Sequence, residues 1–288
     1  MVEKNLYSTD DIAGTYRAVA DHIDTRHHIF RYSENHRDVR DVALQGIDLG
    51  WVRSALDLGC AYGFFTEKIV TCLHMNAHIT GIDLIDDGNR SSFLSIVESA
   101  GRRGCFIAGH ADCIREMKSG KFDLVIASYS LYFFPHLIRE IARILQPRGV
   151  FIAVTHTERS LNEIIQLIPG AMKQTGIEPP GELAISRLLQ VFSMENGERR
   201  LAPHFKTVEI IPYPNKLIFP RERIDDCIDY LSKKRNLLFK EVIERDRNRL
   251  QDVMEVFFSG LRERAEHGAV LEITKHDCIF RCRYPKAE

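Results

Sequence analysis

The chain has no run of eighteen apolar residues, which a membrane-spanning helix would require. Its opening, Met1-Val-Glu-Lys-Asn5, has no apolar signal core. A soluble, cytoplasmic protein without a membrane partner is expected. No charge of one sign dominates either, because 39 Lys and Arg face 40 Asp and Glu. A broad basic field of the kind that holds nucleic acid non-specifically is therefore absent, and a nucleic-acid partner is disfavoured. The seven cysteines, at positions 60, 72, 105, 113, 227, 278 and 282, contain no C-x-x-C. Several lie in apolar strand or helix patterns and read as reduced, buried thiols. His276, Cys278 and Cys282 come nearest to a zinc spacing, but the intervening Ile279 and Phe280 mark a strand, and no metal is expected.

The stretch Ser54-Ala-Leu-Asp-Leu-Gly-Cys-Ala-Tyr-Gly63 leads into the helical pattern Phe64-Phe-Thr-Glu-Lys-Ile-Val70. It predicts a strand, a tight glycine turn and a helix, the place where open α/β sheets bind nucleotides. The loop is Gly-x-x-x-Gly preceded by Asp57, not the G-x-G-x-x-G that seats a pyrophosphate on a helix N-terminus. A carboxylate there disfavours phosphate and favours a cation. Asp83, ending Ile79-Thr-Gly-Ile-Asp83, stands about 20 residues on, where a ribose-binding acid belongs. A ligand with an adenosine ribose, no phosphate and a positive amino-acid tail meets both conditions, and S-adenosylmethionine is such a ligand.

Three further segments follow in order: Ala111-Asp-Cys113, Phe122-Asp-Leu-Val-Ile-Ala-Ser-Tyr-Ser-Leu-Tyr-Phe-Phe-Pro135, and Arg143-Ile-Leu-Gln-Pro-Arg-Gly-Val-Phe-Ile-Ala-Val-Thr-His156. With all five in sequence, the chain resembles the class I S-adenosylmethionine-dependent methyltransferases. It departs from them at Ala61, where many members carry a glycine. The resemblance implies that the loop carrying Gly59, Cys60, Ala61 and Gly63 passes under the methionine moiety. Asp57 would receive the ammonium directly or through water, and Asp83 would accept both ribose hydroxyls. It places Leu84 on the adenine face, Asp112 on the adenine amino group with the Cys113 backbone nearby, and Ser128 and Tyr129 along the passage to the acceptor. Helix capping is the competing role for Asp83 and Asp112, and simple core packing competes for Phe133 and Phe134.

The predicted fold class is α/β, a seven-stranded, mostly parallel, doubly wound sheet whose last strand is antiparallel, plus a helical cap and insertions. Strands are expected at about 53–59, 78–83, 104–109, 122–127 and 149–155, with helices near 63–73, 88–101 and 135–146. Residues 205–213 read as a sixth strand, and 270–284 as the last strand or pair of strands. At 288 residues the chain suits a single domain with elaborations. These are a helical cap over residues 1–50 and helical additions over 157–200 and 220–268, expected to form the lid over the acceptor.

Methyl transfer from a sulfonium needs alignment and exclusion of water, and needs a base only when the acceptor arrives protonated. His156, at the end of the fifth strand, is the candidate base, with a structural or surface role as the alternative. Tyr129 and Tyr132 are candidates for surrounding the transferring methyl, since aromatic faces favour cations. Within the His-rich run Thr25–His36, Arg31 is a candidate for an acceptor carboxylate. The expected partner is a small organic metabolite methylated at oxygen, nitrogen or carbon. The competing readings are a carrier-bound acyl group or other macromolecule as acceptor, and a non-catalytic cofactor-binding partner protein. Oligomeric state is left open, a homodimer included.

Overall fold

The computed structural model describes residues 6–268 and 270–286. The chain divides into two compact units, each built from several segments. The larger comprises Arg37–Thr157, Val191–Tyr213 and Asp277–Glu288. The smaller comprises Met1–His36, Glu158–Gln190 and Pro214–His276.

Nine strands occur among the described residues: β1 Ser54–Leu58, β2 His78–Asp83, β3 Arg103–Ala108, β4 Phe122–Ser128, β5 Leu145–His156, β6 Phe205–Tyr213, β7 Lys216–Pro220, β8 Val270–Thr274 and β9 Asp277–Pro285. Seven of them form the sheet of the larger unit in the order β3-β2-β1-β4-β5-β9-β6. The first five are parallel, and β9 runs antiparallel between β5 and β6. The predicted seven-stranded sheet with its antiparallel last strand is therefore present. Its order reverses between β1 and β4, and at such a switch point the carboxyl ends of the strands make room for a ligand.

The central strands are apolar on both faces, as parallel strands covered on both sides must be. Leu56, Leu58, Leu124, Val125 and Ile126 are wholly enclosed. Helix Asn89–Ser99 buries Asn89, Phe93 and Val97, each one turn from the next, while its other residues are more open. Helix Val39–Leu44 belongs to this unit, and its last turn is tied to β9 by Arg281. That guanidinium donates to the carbonyls of Ala43 at 2.9 Å and Val42 at 2.7 Å, satisfying groups a helix end leaves unpaired.

Two boundaries differ from expectation. β5 begins at Leu145, not 149, because Leu145 pairs with Phe122 and a register shift before Leu124 accommodates Pro147, which has no N–H to give the ladder. The helix after the glycine loop ends at Ile69, after which the chain turns back through Cys72 and Leu73 to the Ile69 carbonyl.

In the smaller unit β7 and β8 pair antiparallel. β7 follows Pro214 closely and ends on Pro220, which hid so short a strand from periodicity. Helix Leu250–His267 places Val253, Met254, Phe257, Phe258, Leu261 and Ala265 along one buried stripe. Helix Thr9–Tyr16 begins with a capping box between Ser8 and Asp11. No helix of the described residues is long and apolar enough to cross a membrane.

Candidate active site

The turn after β1 is held against the end of β2 by backbone bonds. The N–H groups of Gly59 and Cys60 both donate to the Ile82 carbonyl, at 2.8 and 3.2 Å, and Gly63 N–H closes the turn on Cys60 at 2.9 Å. Gly59 has φ +78°, and a Cβ there would lie 2.4 Å from Ser130 Cβ. Ser130 is itself fixed, donating to the Leu58 carbonyl at 2.6 Å. Only glycine fits at this position. Ala61 also lies in the left-handed region, at φ 45°, although it is not glycine. Its N–H donates to Asp83 Oδ2 at 2.7 Å, and Ile85 N–H donates to Asp83 Oδ1 at 2.9 Å. The residue that departs from the family pattern is thus joined to the acid at the end of β2.

Each Asp83 oxygen takes one backbone donor and has a second lone pair directed elsewhere. Burial pushes this carboxyl up, against the pull of the two backbone donors. Asp57 lies deeper, 2% exposed, with Oδ2 accepting from Thr66 Oγ1 at 2.7 Å. Burial raises its pKa to about 7, with the Thr66 hydrogen bond opposing and the Asp83 charge adding to the rise. Cys60 is buried and its thiol is pushed well up by burial, which leaves it inert as a nucleophile. Leu84 is half-buried.

Asp112 is exposed on the 3₁₀ turn Ala111–Glu116, where Arg115 and His136 both lie 3.1 Å from Oδ1. Partial burial works to raise its pKa, but these two partners lower it below the usual carboxylate range. Cys113 beside it is half-buried, and burial raises its thiol. At the end of β4 the Ser128 hydroxyl is buried and makes no hydrogen bond among the described residues. Tyr129 follows at φ 55°, pinned by its N–H to the Val154 carbonyl at 2.8 Å. A bulky residue with this φ is a genuine outlier, of the kind that clusters at functional sites.

At the end of β5, three of the predicted residues come together. His156 lies against Tyr129, ring centroids 4.9 Å apart, and stacks on Tyr132 at 5.9 Å. The centre of the group is Asp277, a residue sequence reasoning missed. It is 3% exposed, with Oδ1 2.6 Å from His156 Nδ1, while Oδ2 accepts from the Tyr129 hydroxyl at 2.7 Å. No local motif marks Asp277; the available signal was an acid placed directly before the apolar run Cys278-Ile-Phe280. Thr66 and Ser130 were also missed, one fixing Asp57 and the other seated beneath Gly59.

Arg31 is not among these residues. It belongs to the smaller unit, on helix Val19–Tyr32, over the Tyr32 ring and 3.8 Å from Asp226. In the same unit Asp24, His28 and Asp229 converge in a set that could hold a metal ion. The Lys233 ammonium already pairs with both acids there, so the cluster has its cation.

Residues 56–153 match the family model described as "Methyltransferase domain". No curated protein matches the chain. Among solved structures it is similar to the YcgJ protein of Bacillus subtilis, with 14% identity and a TM-score of 0.53 over 86% of this chain and 98% of that one. It is also similar to a candidate methyltransferase of Bacillus halodurans, with 13% identity and a TM-score of 0.51 over 86% and 99%. A third likeness is to phosphoethanolamine N-methyltransferase 2 of Haemonchus contortus, solved with phosphomonomethylethanolamine and S-adenosylhomocysteine. Identity there is 16% and the TM-score 0.50, and the likeness covers 97% of this chain but 61% of that one. At such identities these three share the fold.

Proposed function

We propose that this chain is an S-adenosylmethionine-dependent methyltransferase of class I that methylates a small organic metabolite. The observation that carries the reading is Asp83, an acid at the end of β2, bound to the backbone of the glycine turn beside the switch point and keeping acceptor capacity on both oxygens.

The residues present suit S-adenosylmethionine. Gly59 leaves a backbone surface that a Cβ would fill, and the buried Ser128 hydroxyl lacks a partner that a ligand can supply. In this reading Asp83 holds the ribose, and Gly59, Cys60, Ala61 and Gly63 present backbone to the methionine moiety. Leu84 covers the adenine, and Asp112 with the Cys113 backbone meets its amino group. Asp57, being enclosed, acts on the ammonium as a buried charge or through water, not by open contact. When bound, the cofactor supplies a methyl group on a positively charged sulfur. The chain's own work is to hold the acceptor in line, exclude water and take up a proton where one is released. His156 is the candidate for that proton, with Tyr129 and Tyr132 beside it. The additions over 157–200 and 220–268, and Arg31 in the first fifty residues, are our candidates for recognising the acceptor.

Thermal unfolding tests the reading. Equimolar S-adenosylmethionine is expected to raise the melting temperature, and Asp83→Ala to abolish most of that rise while NAD gives none. A wild-type protein that ignores S-adenosylmethionine would falsify the proposal.

A further inference from the structure

We infer that Asp277 is a positioning residue that makes His156 a general base, and that the acceptor is a protonated heteroatom, a hydroxyl or an ammonium, not a carboxylate. The inference rests on the methyltransferase reading of the same site.

The pairing is set by strand register. His156 on β5 and Asp277 on β9 are direct partners across the antiparallel ladder, so their side chains share a face at close range. Neither reaches the other by chance of a flexible loop. The Asp277 carboxylate is enclosed and accepts on both oxygens, from His156 Nδ1 at 2.6 Å and from the Tyr129 hydroxyl at 2.7 Å. An ionised carboxylate only accepts, so it selects the imidazole tautomer with its proton on Nδ1. Nε2 is then the basic nitrogen. When it gains a proton, the imidazolium forms beside a buried negative charge and between the rings of Tyr129 and Tyr132, all of which favour the cation. The His156 side chain keeps 19% of its surface exposed, against 3% for Asp277, so the imidazole is the member of the pair that can meet an acceptor.

A carboxylate acceptor is already ionised at neutral pH and would leave such a base idle. For a hydroxyl acceptor the balance is complete: its oxygen bonds to the methyl carbon, the carbon–sulfur bond breaks with its electron pair kept by sulfur, and the hydroxyl proton passes to His156 Nε2. A purely structural clasp would carry the same hydrogen bonds and the same tautomer, but its loss would not lower kcat at an unchanged KM.

Asp277→Asn separates the two. The amide oxygen keeps the Tyr129 hydroxyl, which turns the NH₂ group toward Nδ1 and moves the imidazole proton to Nε2. Nitrogen-15 NMR of histidine-labelled protein at pH 8 is expected to show His156 protonated on Nδ1 in the wild type and on Nε2 in the variant, identified by its loss in His156→Gln. Titration calorimetry with S-adenosylmethionine is expected to give the same affinity for all three. With a panel of phenols, alcohols and amines, S-adenosylhomocysteine release should fall about 100-fold or more in kcat for both variants, with KM little changed. Carboxylic acids should give no release. A wild-type imidazole protonated on Nε2, an Asp277→Asn enzyme with undiminished kcat, or release confined to carboxylic acids or absent from the whole panel overturns the inference. Failure of the wild type to bind S-adenosylmethionine would instead remove the reading beneath it, and the base assignment with it.

Discussion

The two ends of the candidate site are built in opposite ways. The turn after β1 is a backbone device, made from Asp57 to Gly63 and closed by Asp83, with three residues at positive φ and carbonyl groups holding the loop in place. The group at the end of β5 is a side-chain device, in which strand pairing brings His156 and Asp277 together, Tyr129 and His156 share the Asp277 carboxylate, and Tyr132 stacks on the imidazole. At the first end a residue that cannot take up the loop's backbone should disturb folding as well as binding. At the second, a changed residue should disturb chemistry and leave folding nearly intact. The difference teaches where specificity can vary: a rigid backbone end suits a ligand common to many proteins, whereas a side-chain end can be changed without rebuilding the loop.

The largest expected effect concerns Asp57, whose burial raises its pKa from 3.8 to about 7. An acid raised on folding binds its proton more tightly in the native state. Its contribution is therefore full below about pH 4, declines as pH rises toward 7, and stays lost above that. At about 1.4 kcal/mol per pKa unit the loss is on the order of 4 kcal/mol by pH 8. Asp57→Asn, whose amide can still accept from Thr66, is expected to match the wild type near pH 4 and to be the more stable protein at pH 8. Acids whose pKa is lowered, such as Asp11, Asp112 and Glu163, act in the opposite sense at low pH, but they cancel when the two proteins are compared. Urea unfolding of both across pH 4 to 8 checks this, and a pH-independent difference would place the Asp57 charge in contact with solvent. The same variant should bind S-adenosylmethionine more weakly at pH 8, which makes this carboxylate a charge held for the ligand at the expense of stability.

Next in size is Gly59→Ala. The new methyl would sit 2.4 Å from Ser130 Cβ and 2.8 Å from its Oγ, which is anchored to the Leu58 carbonyl, and the backbone would remain at φ +78°. Left-handed strain of 1–2 kcal/mol and crowding of similar size together give about 3 kcal/mol. A measured loss under about 1 kcal/mol would mean that the turn gives way easily, and the contrast between a backbone end and a side-chain end would lose its force.

That contrast also explains what the sequence made legible. The strand β2 has the limits its alternation predicts, and the glycine turn between Asp57 and Gly63 forms where expected, because each depends on a short segment whose turn chemistry and alternation are local. The antiparallel last strand followed from the resemblance. Asp277 was not found, since its meaning lies in a register with β5 that spans 121 positions of chain and leaves no local trace. The strand β7 escaped for a related reason: five residues ending on a proline make sense only once β8 pairs with them.

The smallest effect is the most direct test of the turn itself, because Ala61 holds a left-handed backbone without being glycine. At φ 45° a methyl-bearing residue is strained by roughly 1 kcal/mol or more, and glycine would release that strain. Against this, glycine loses more freedom on folding, by about 0.5–1 kcal/mol. The two nearly cancel, so Ala61→Gly is expected to stabilise by a few tenths of a kcal/mol and to leave the N–H donated to Asp83 in place. S-adenosylmethionine affinity should be unchanged. If the variant were instead less stable by more than about 1 kcal/mol, the Ala61 methyl would have to be making contacts worth more than its strain. The loop would then be held in part by a side chain, as the other end of the site is.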